Sequence, residues 1–247
     1  MLNFWQKILI WIVPIVALWA CDPATSPRQA QPSVPGKPPT VMVGQPNPAK
    51  TSPVANNSAH FRDSLLALPD TAWVELTQLD PSFVLDIKYA TDDNFTKQVL
   101  YDCPRCFLRN KIAKDLIAAH VQVKKKGYRM KIFDGYRPLA VQWKMWRLTP
   151  DKKYVGNPRK GSMHNRGCAV DLTLIDAQSN ELDMGSPYDY FGKVSHLDYP
   201  HPQAVMANRK ILQTAMTGHG FRLLSTEWWH FSHNRAYLIS DFPIPCK

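Results

Sequence analysis

Ser162-Met163-His164-Asn165-Arg166-Gly167-Cys168-Ala169-Val170-Asp171 sets a histidine and an aspartate at the two ends of a segment that runs into an apolar stretch. Side chains alternate between the two faces of a strand, so seven residues of regular strand send His164 and Asp171 to opposite sides. The chain must turn between them. Gly167 can supply the bend, since glycine enters left-handed backbone without steric cost. Asp171 then stands on a strand over residues 168–174, with His164 in the loop before it. A neutral imidazole and a carboxylate are both good zinc ligands, and three such ligands leave a fourth position for water.

The elements around this segment define a fold class. Residues 83–89 alternate imperfectly, with Ser82, Asp86 and Lys88 among apolar neighbours, which predicts a half-buried strand. The spacing of Ile112, Leu116, Ile117 and Val121 predicts a helix over 108–126, stopped at Gly127. Residues 130–133 read as a strand. Pro138 opens a helix carrying Val141, Met145 and Leu148 toward the core. A second long helix covers 203–217, ended by Gly218 and Gly220, and 228–231 is the last central strand. Strands and helices do not alternate strictly. The expectation is a single α+β domain with a mainly antiparallel sheet and helices packed on it.

Two further segments carry chemistry. In Glu227-Trp228-Trp229-His230, His230 completes a His, Asp, His set, and Glu227 can take a proton from water at the metal and hand it to a departing amine. A lone histidine beside tryptophans is more often a packed core residue, so it is the combination that points to a metal. In Asp134-Gly135-Tyr136-Arg137-Pro138, the Arg137 guanidinium is a candidate for stabilising charge on a former carbonyl oxygen. Its competing role is an ion pair with Asp134.

The chain has 247 residues, 45% of them hydrophobic, enough for one sizeable core. A formal charge of +10 invites a nucleic-acid partner, but the basic residues are scattered. Their one run, Lys124-Lys125-Lys126, falls at a helix end, so no nucleic-acid partner is expected. Nine of the 21 prolines lie between Pro23 and Pro53, which marks 21–59 as a tether and 60–247 as the folded domain. Ahead of it, Lys7 precedes an apolar stretch from Ile8 to Ala20, too short for the roughly 20 residues a membrane-crossing helix needs. Residues 1–20 read as a signal peptide. Leu18-Trp19-Ala20-Cys21 resembles the bacterial lipoprotein signal, which implies lipid on Cys21, attachment to a membrane and a place in the cell envelope; Asp22 resembles an inner-membrane retention signal in hosts with two membranes. In an oxidising compartment Cys103, Cys106, Cys168 and Cys246 admit three pairings, and one or two structural disulfides are expected. Cys103-Pro104-Arg105-Cys106 lacks the second cysteine pair that a four-thiolate zinc site needs.

These three chemical segments, together with residues 86–95 (DIKYATDDNF) and Met184-Gly185-Ser186-Pro187-Tyr188-Asp189, resemble the D-alanyl-D-alanine dipeptidases, zinc peptidases of the wider Hedgehog/DD-peptidase superfamily. The similarity runs in order over roughly residues 83–242. It implies a Hedgehog/DD-peptidase-like fold, one zinc ion held by His164, Asp171 and His230, Glu227 as general base and acid, and Arg137 on the intermediate. By the same resemblance Asp189 receives the ammonium of a small D,D-dipeptide, and Tyr89 and Ser162 line its pocket. A carboxylate at a fixed distance from the metal would act as a ruler that rejects longer, amino-blocked chains. The alternatives are a carboxypeptidase or endopeptidase trimming peptidoglycan stem peptides, and a binding module that has lost catalysis.

Overall fold

The computed structural model describes residues 53–149, 151–235 and 237–247. The signal peptide, Cys21 and the tether up to residue 52 lie outside the described residues. Among those described, no helix is long and apolar enough to cross a membrane. The chain runs α1 (Pro53–Leu66), β1 (Trp73–Glu75), α2 (Leu76–Leu79), β2 (Val84–Leu85), β3 (Phe107–Arg109), α3 (Asn110–Lys124), β4 (Arg129–Asp134), α4 (Leu139–Leu148), β5 (Ala169–Ile175), α5 (Gln203–Gly218), β6 (Arg222–Leu224) and β7 (Glu227–Ser232). Helix α1 straddles the boundary drawn at residue 60.

Five strands form one sheet in the order β2-β4-β5-β7-β6. Only β2 and β4 are parallel; the other three pairs are antiparallel. The fold is therefore α+β with a mainly antiparallel sheet, as expected. Strand β5 is central, and all seven of its residues are buried. Helices α3 and α5 pack on each other and on the sheet, α3 against β4 and α5 against β5. Their inward residues, among them Ile112, Leu116, Leu212 and Met216, join Ile132, Leu172 and Phe231 in one core. The other two strands, β1 and β3, make a separate antiparallel pair.

Three sequence expectations need correction. The strand over 83–89 shrinks to two residues, because after Asp86 donates its N–H to the Ile132 carbonyl (2.8 Å) the chain closes into a 3₁₀ turn, Lys88–Ala90. The following loop is gathered by the buried Asn94, whose amide nitrogen meets the carbonyls of Thr91 (2.7 Å) and Gln98 (2.9 Å). Helix α3 starts at Asn110 because Leu108 belongs to β3, in register with Val74. Leu148 does not face the core: it is 37% exposed at the end of α4, whereas Val141 and Met145 are buried. Edge strand β6, three residues long and exposed along its length, was too short to announce itself although two of its residues are Leu223 and Leu224.

Of the three cysteine pairings the sequence allowed, one bond forms, Cys103–Cys246, while Cys106 and Cys168 are free and buried. Burial raises both thiols, Cys168 to about 11, which suits inert packed groups. The disulfide anchors a C-terminal strap. Along it Asp241 Oδ1 accepts the Ala140 N–H (2.8 Å), supplying α4 with the N-terminal partner that Pro138 cannot, and Ser240 N–H donates to the Asn165 carbonyl (2.9 Å).

Candidate active site

Register brings the site together. Asp134 on β4, Asp171 on β5 and His230 on β7 are cross-strand partners, so their side chains share one face in a row across three adjacent strands. A register shift between Ile132 and Asp134 brings Asp134 into that row. His164 arrives from outside the sheet. It opens a 3₁₀ turn, His164–Arg166, closed by Gly167 in left-handed backbone at φ 68°. A Cβ at Gly167 would stand 2.3 Å from the Trp73 ring, so both the angle and the space require glycine. The bend expected from the sequence is present at the expected residue.

The His164 Nδ1–H donates to the Gly135 carbonyl (2.7 Å), which directs Nε2 into the site. That atom lies 3.2 Å from His230 Nδ1 and 3.4 Å from Asp171 Oδ1, and the latter two are 2.9 Å apart. Two imidazole nitrogens and a carboxylate oxygen, all within 4.8 Å of one another, suit a divalent cation of zinc's ligand preference. Burial opposes charge on Asp171, but the two imidazoles outweigh it and hold its carboxyl below the usual range.

The other predicted residues line the same cleft, of about 220 Å³. Glu227 starts β7 directly after the β6–β7 turn. Burial raises its carboxyl above the usual value, with His230 pulling the other way. Arg137 makes the ion pair with Asp134 that was weighed for it and also borders the cleft. Its Nε and Nη2 hold Asp134 Oδ2 (3.1 and 2.6 Å) and its Nη1 meets Gln142 Oε1 (3.0 Å), while the guanidinium still borders the cleft, 5.2 Å from the Tyr89 ring centre. Asp189 adopts left-handed backbone (φ 58°) and accepts the Tyr89 hydroxyl (2.9 Å); burial, reinforced by Asp171, pushes its carboxyl well up. Ser162 donates Oγ–H to Asn165 Oδ1 (3.1 Å) at the rim.

A family model described as D-Ala-D-Ala dipeptidase, peptidase family M15, matches residues 70–245. The chain belongs to this family. The D-alanyl-D-alanine dipeptidase of Escherichia coli (strain K12) is 40% identical over 176 residues, spanning 70% of this chain and 89% of the relative. That of Enterococcus faecium is 34% identical over 185 residues, spanning 66% and 92%. The crystal structure of the vancomycin-resistance D,D-dipeptidase VanXYg in complex with a D-Ala-D-Ala phosphinate analog aligns over 53% of this chain and 52% of that one, with a TM-score of 0.36 and 20% identity.

As a member of the D-Ala-D-Ala dipeptidase family the chain is a metallopeptidase, and every residue predicted to line the cleft falls inside the matched span. Four partners in this site escaped the sequence reading. Gln142 receives Arg137 from α4 and donates to the Gly156 carbonyl (2.7 Å). Asn165 donates to the Arg137 carbonyl (2.8 Å), tying the arginine to the loop of His164. Tyr101 donates to Asp134 Oδ1 (2.7 Å), which also accepts the Gly135 N–H (2.9 Å). Tyr188 contacts Asp171 Oδ2 (3.1 Å). Gln142 and Asn165 offered one signal, a polar residue on a segment that must be buried; Tyr188 offered only its place in the segment 184–189, and Tyr101 none.

Proposed function

We propose that the protein hydrolyses D-alanyl-D-alanine to free D-alanine, using one zinc ion held by His164, Asp171 and His230. The observation that carries this reading is a single cleft in which a His, Asp, His triangle 2.9–3.4 Å on a side shares its walls with Glu227, Arg137 and Asp189. When bound, zinc supplies Lewis acidity toward the amide carbonyl and acidifies water. Glu227 takes a proton from the attacking water and delivers it to the amine as the C–N bond breaks. Arg137, braced by Asp134 and Gln142, donates its remaining N–H groups to the oxygen where negative charge develops. Asp189 accepts the substrate's ammonium, and Tyr89 holds that carboxylate in place. Ser162 borders the pocket that takes the rest of the dipeptide.

The proposal extends to location: a lipoprotein held in the membrane by lipid on Cys21, with the domain on the outer side of that membrane, periplasmic in a host with two. Its support is the 13-residue apolar stretch ending at Ala20-Cys21 and the proline-rich tether behind it. An exported enzyme cannot reach a cytoplasmic dipeptide pool, so its substrate is dipeptide released from the wall.

Metal analysis and paired assays on the full chain test the reading. One zinc per chain is expected, with D-alanine release abolished by chelation and lowered about 10³-fold in Glu227→Ala, which keeps its zinc. Amino-acetylated dipeptide should turn over at least about 100-fold more slowly than the free form. Activity surviving both chelation and Glu227→Ala sinks the mechanism. Equal turnover of blocked and free substrate removes the role of Asp189 and favours trimming of stem peptides. Recovery of the full chain in cytosol overturns the envelope location.

A further inference from the structure

The mechanism leaves one well-connected side chain without a task. The Tyr188 hydroxyl lies 3.1 Å from Asp171 Oδ2 and 3.2 Å from the Tyr89 hydroxyl, and Tyr89 in turn donates to Asp189 Oδ2 at 2.9 Å. Asp171 divides its two oxygens. Oδ1 faces His230 Nδ1 and His164 Nε2, whereas Oδ2 is met by Tyr188. The Tyr188 ring is packed against Phe133 (centroids 4.7 Å apart), Trp229 (5.4 Å) and Tyr89 (6.3 Å), so ring packing helps to hold its hydroxyl in place.

An unbroken line of oxygens therefore runs from Asp171 through Tyr188 and Tyr89 to Asp189. It has three contacts and two hydroxyl hydrogens. The hydrogen of Tyr89 goes to Asp189, and that of Tyr188 serves either Asp171 or the Tyr89 oxygen. In both arrangements Tyr188 stands between Asp171 and Tyr89, and Tyr89 carries the line on to Asp189.

We propose that Tyr188 is a positioning residue that fixes the span between the metal-facing oxygen of Asp171 and the ammonium pocket at Asp189, and so sets the discrimination for substrates with a free amino end. The proposal rests on the assignments of Asp171 and Asp189 made above. It requires no proton transfer and no group beyond those already assigned. A partner of this kind, one shell out from a metal ligand, alters metal affinity about 10- to 100-fold when removed.

Tyr188→Phe deletes the hydroxyl and keeps the ring. In chelator competition its zinc affinity should fall about tenfold, and its preference for free over amino-acetylated D-alanyl-D-alanine should narrow by about fivefold or more, mainly through a higher KM for the free dipeptide. Tyr89→Phe cuts the line at its other end: KM should rise while zinc affinity stays within about twofold of wild type. The double variant should lose no more discrimination than the worse single one, because one line is broken twice. A wild-type chain that neither holds zinc nor hydrolyses the dipeptide defeats the functional reading itself. With wild type competent, a Tyr188→Phe protein matching it in zinc affinity and discrimination overturns this proposal alone. Should Tyr188→Phe fail to fold, a Tyr89→Phe protein with unchanged discrimination overturns it equally.

Discussion

Asp189 combines two unfavourable conditions in one residue. Its backbone sits at φ 58°, where Asp and Asn are among the few tolerated side chains, and burial keeps its carboxyl protonated well above the usual range. A carboxyl whose folded pKa exceeds its unfolded value binds a proton in the native state that the unfolded chain has lost. Stability then falls as pH rises from the ordinary carboxylate range toward the raised value, and stays lower beyond it. Asp189→Asn keeps an acceptor for the Tyr89 hydroxyl and removes this cost. The variant should melt about 3 °C higher than wild type at pH 8, roughly 1 kcal/mol, with no gain at pH 4. Its kcat/KM for the free dipeptide should fall about 100-fold or more, because the ammonium loses its counter-charge. Equal melting temperatures at both pH values would remove the stability cost assigned to Asp189, and intact kcat/KM would remove its role at the ammonium.

At the level of elements, the site is a loop docked onto a sheet. Strands β4, β5 and β7 contribute a row in register, and the 3₁₀ turn before β5 adds the fourth group, His164, which its bond to the Gly135 carbonyl then orients. Gly167 is the hinge of that arrangement. Gly167→Ala should destabilise the protein by roughly 1–3 kcal/mol, from left-handed backbone and displacement of the Trp73 ring. His164 lies three residues away on the same turn, so zinc affinity should drop with it, about tenfold in chelator competition. A variant that melts and binds zinc like wild type would show that the loop has another anchor. This bend was legible in the sequence, since strand parity between His164 and Asp171 demanded it. The shortening of the strand over 83–89 was not. Alternating residues there suggested pairing, but the strand ends where Asp86 meets the distant Lys131 (2.9 Å) and the chain turns into the loop gathered by Asn94, and local alternation does not record that meeting.

Across the whole molecule, the Cys103–Cys246 bond closes a sequence separation of 143 residues and holds the strap that completes α4 and backs the loop of His164. Cross-linking so long a loop restricts the unfolded chain strongly. Cys246→Ser should cost about 2–4 kcal/mol, a fall of roughly 5–15 °C in Tm, and the same loss should follow reduction of the wild-type protein. Thermal melts with and without reductant check this; no change in either would make the strap an ornament of the fold. The sequence by itself determined the types of side chain at the cleft, the helices α3, α4 and α5, the central strands β4, β5 and β7 and the glycine turn, because these depend on side-chain chemistry and on spacings of a few residues. Only the tertiary structure decided which cysteines pair, that Arg137 is braced by Asp134 and Gln142 while bordering the cleft, and that Tyr188 bridges Asp171 and Tyr89. Each of those is a meeting of groups set by packing, and local periodicity carries no record of which distant side chains the core brings together.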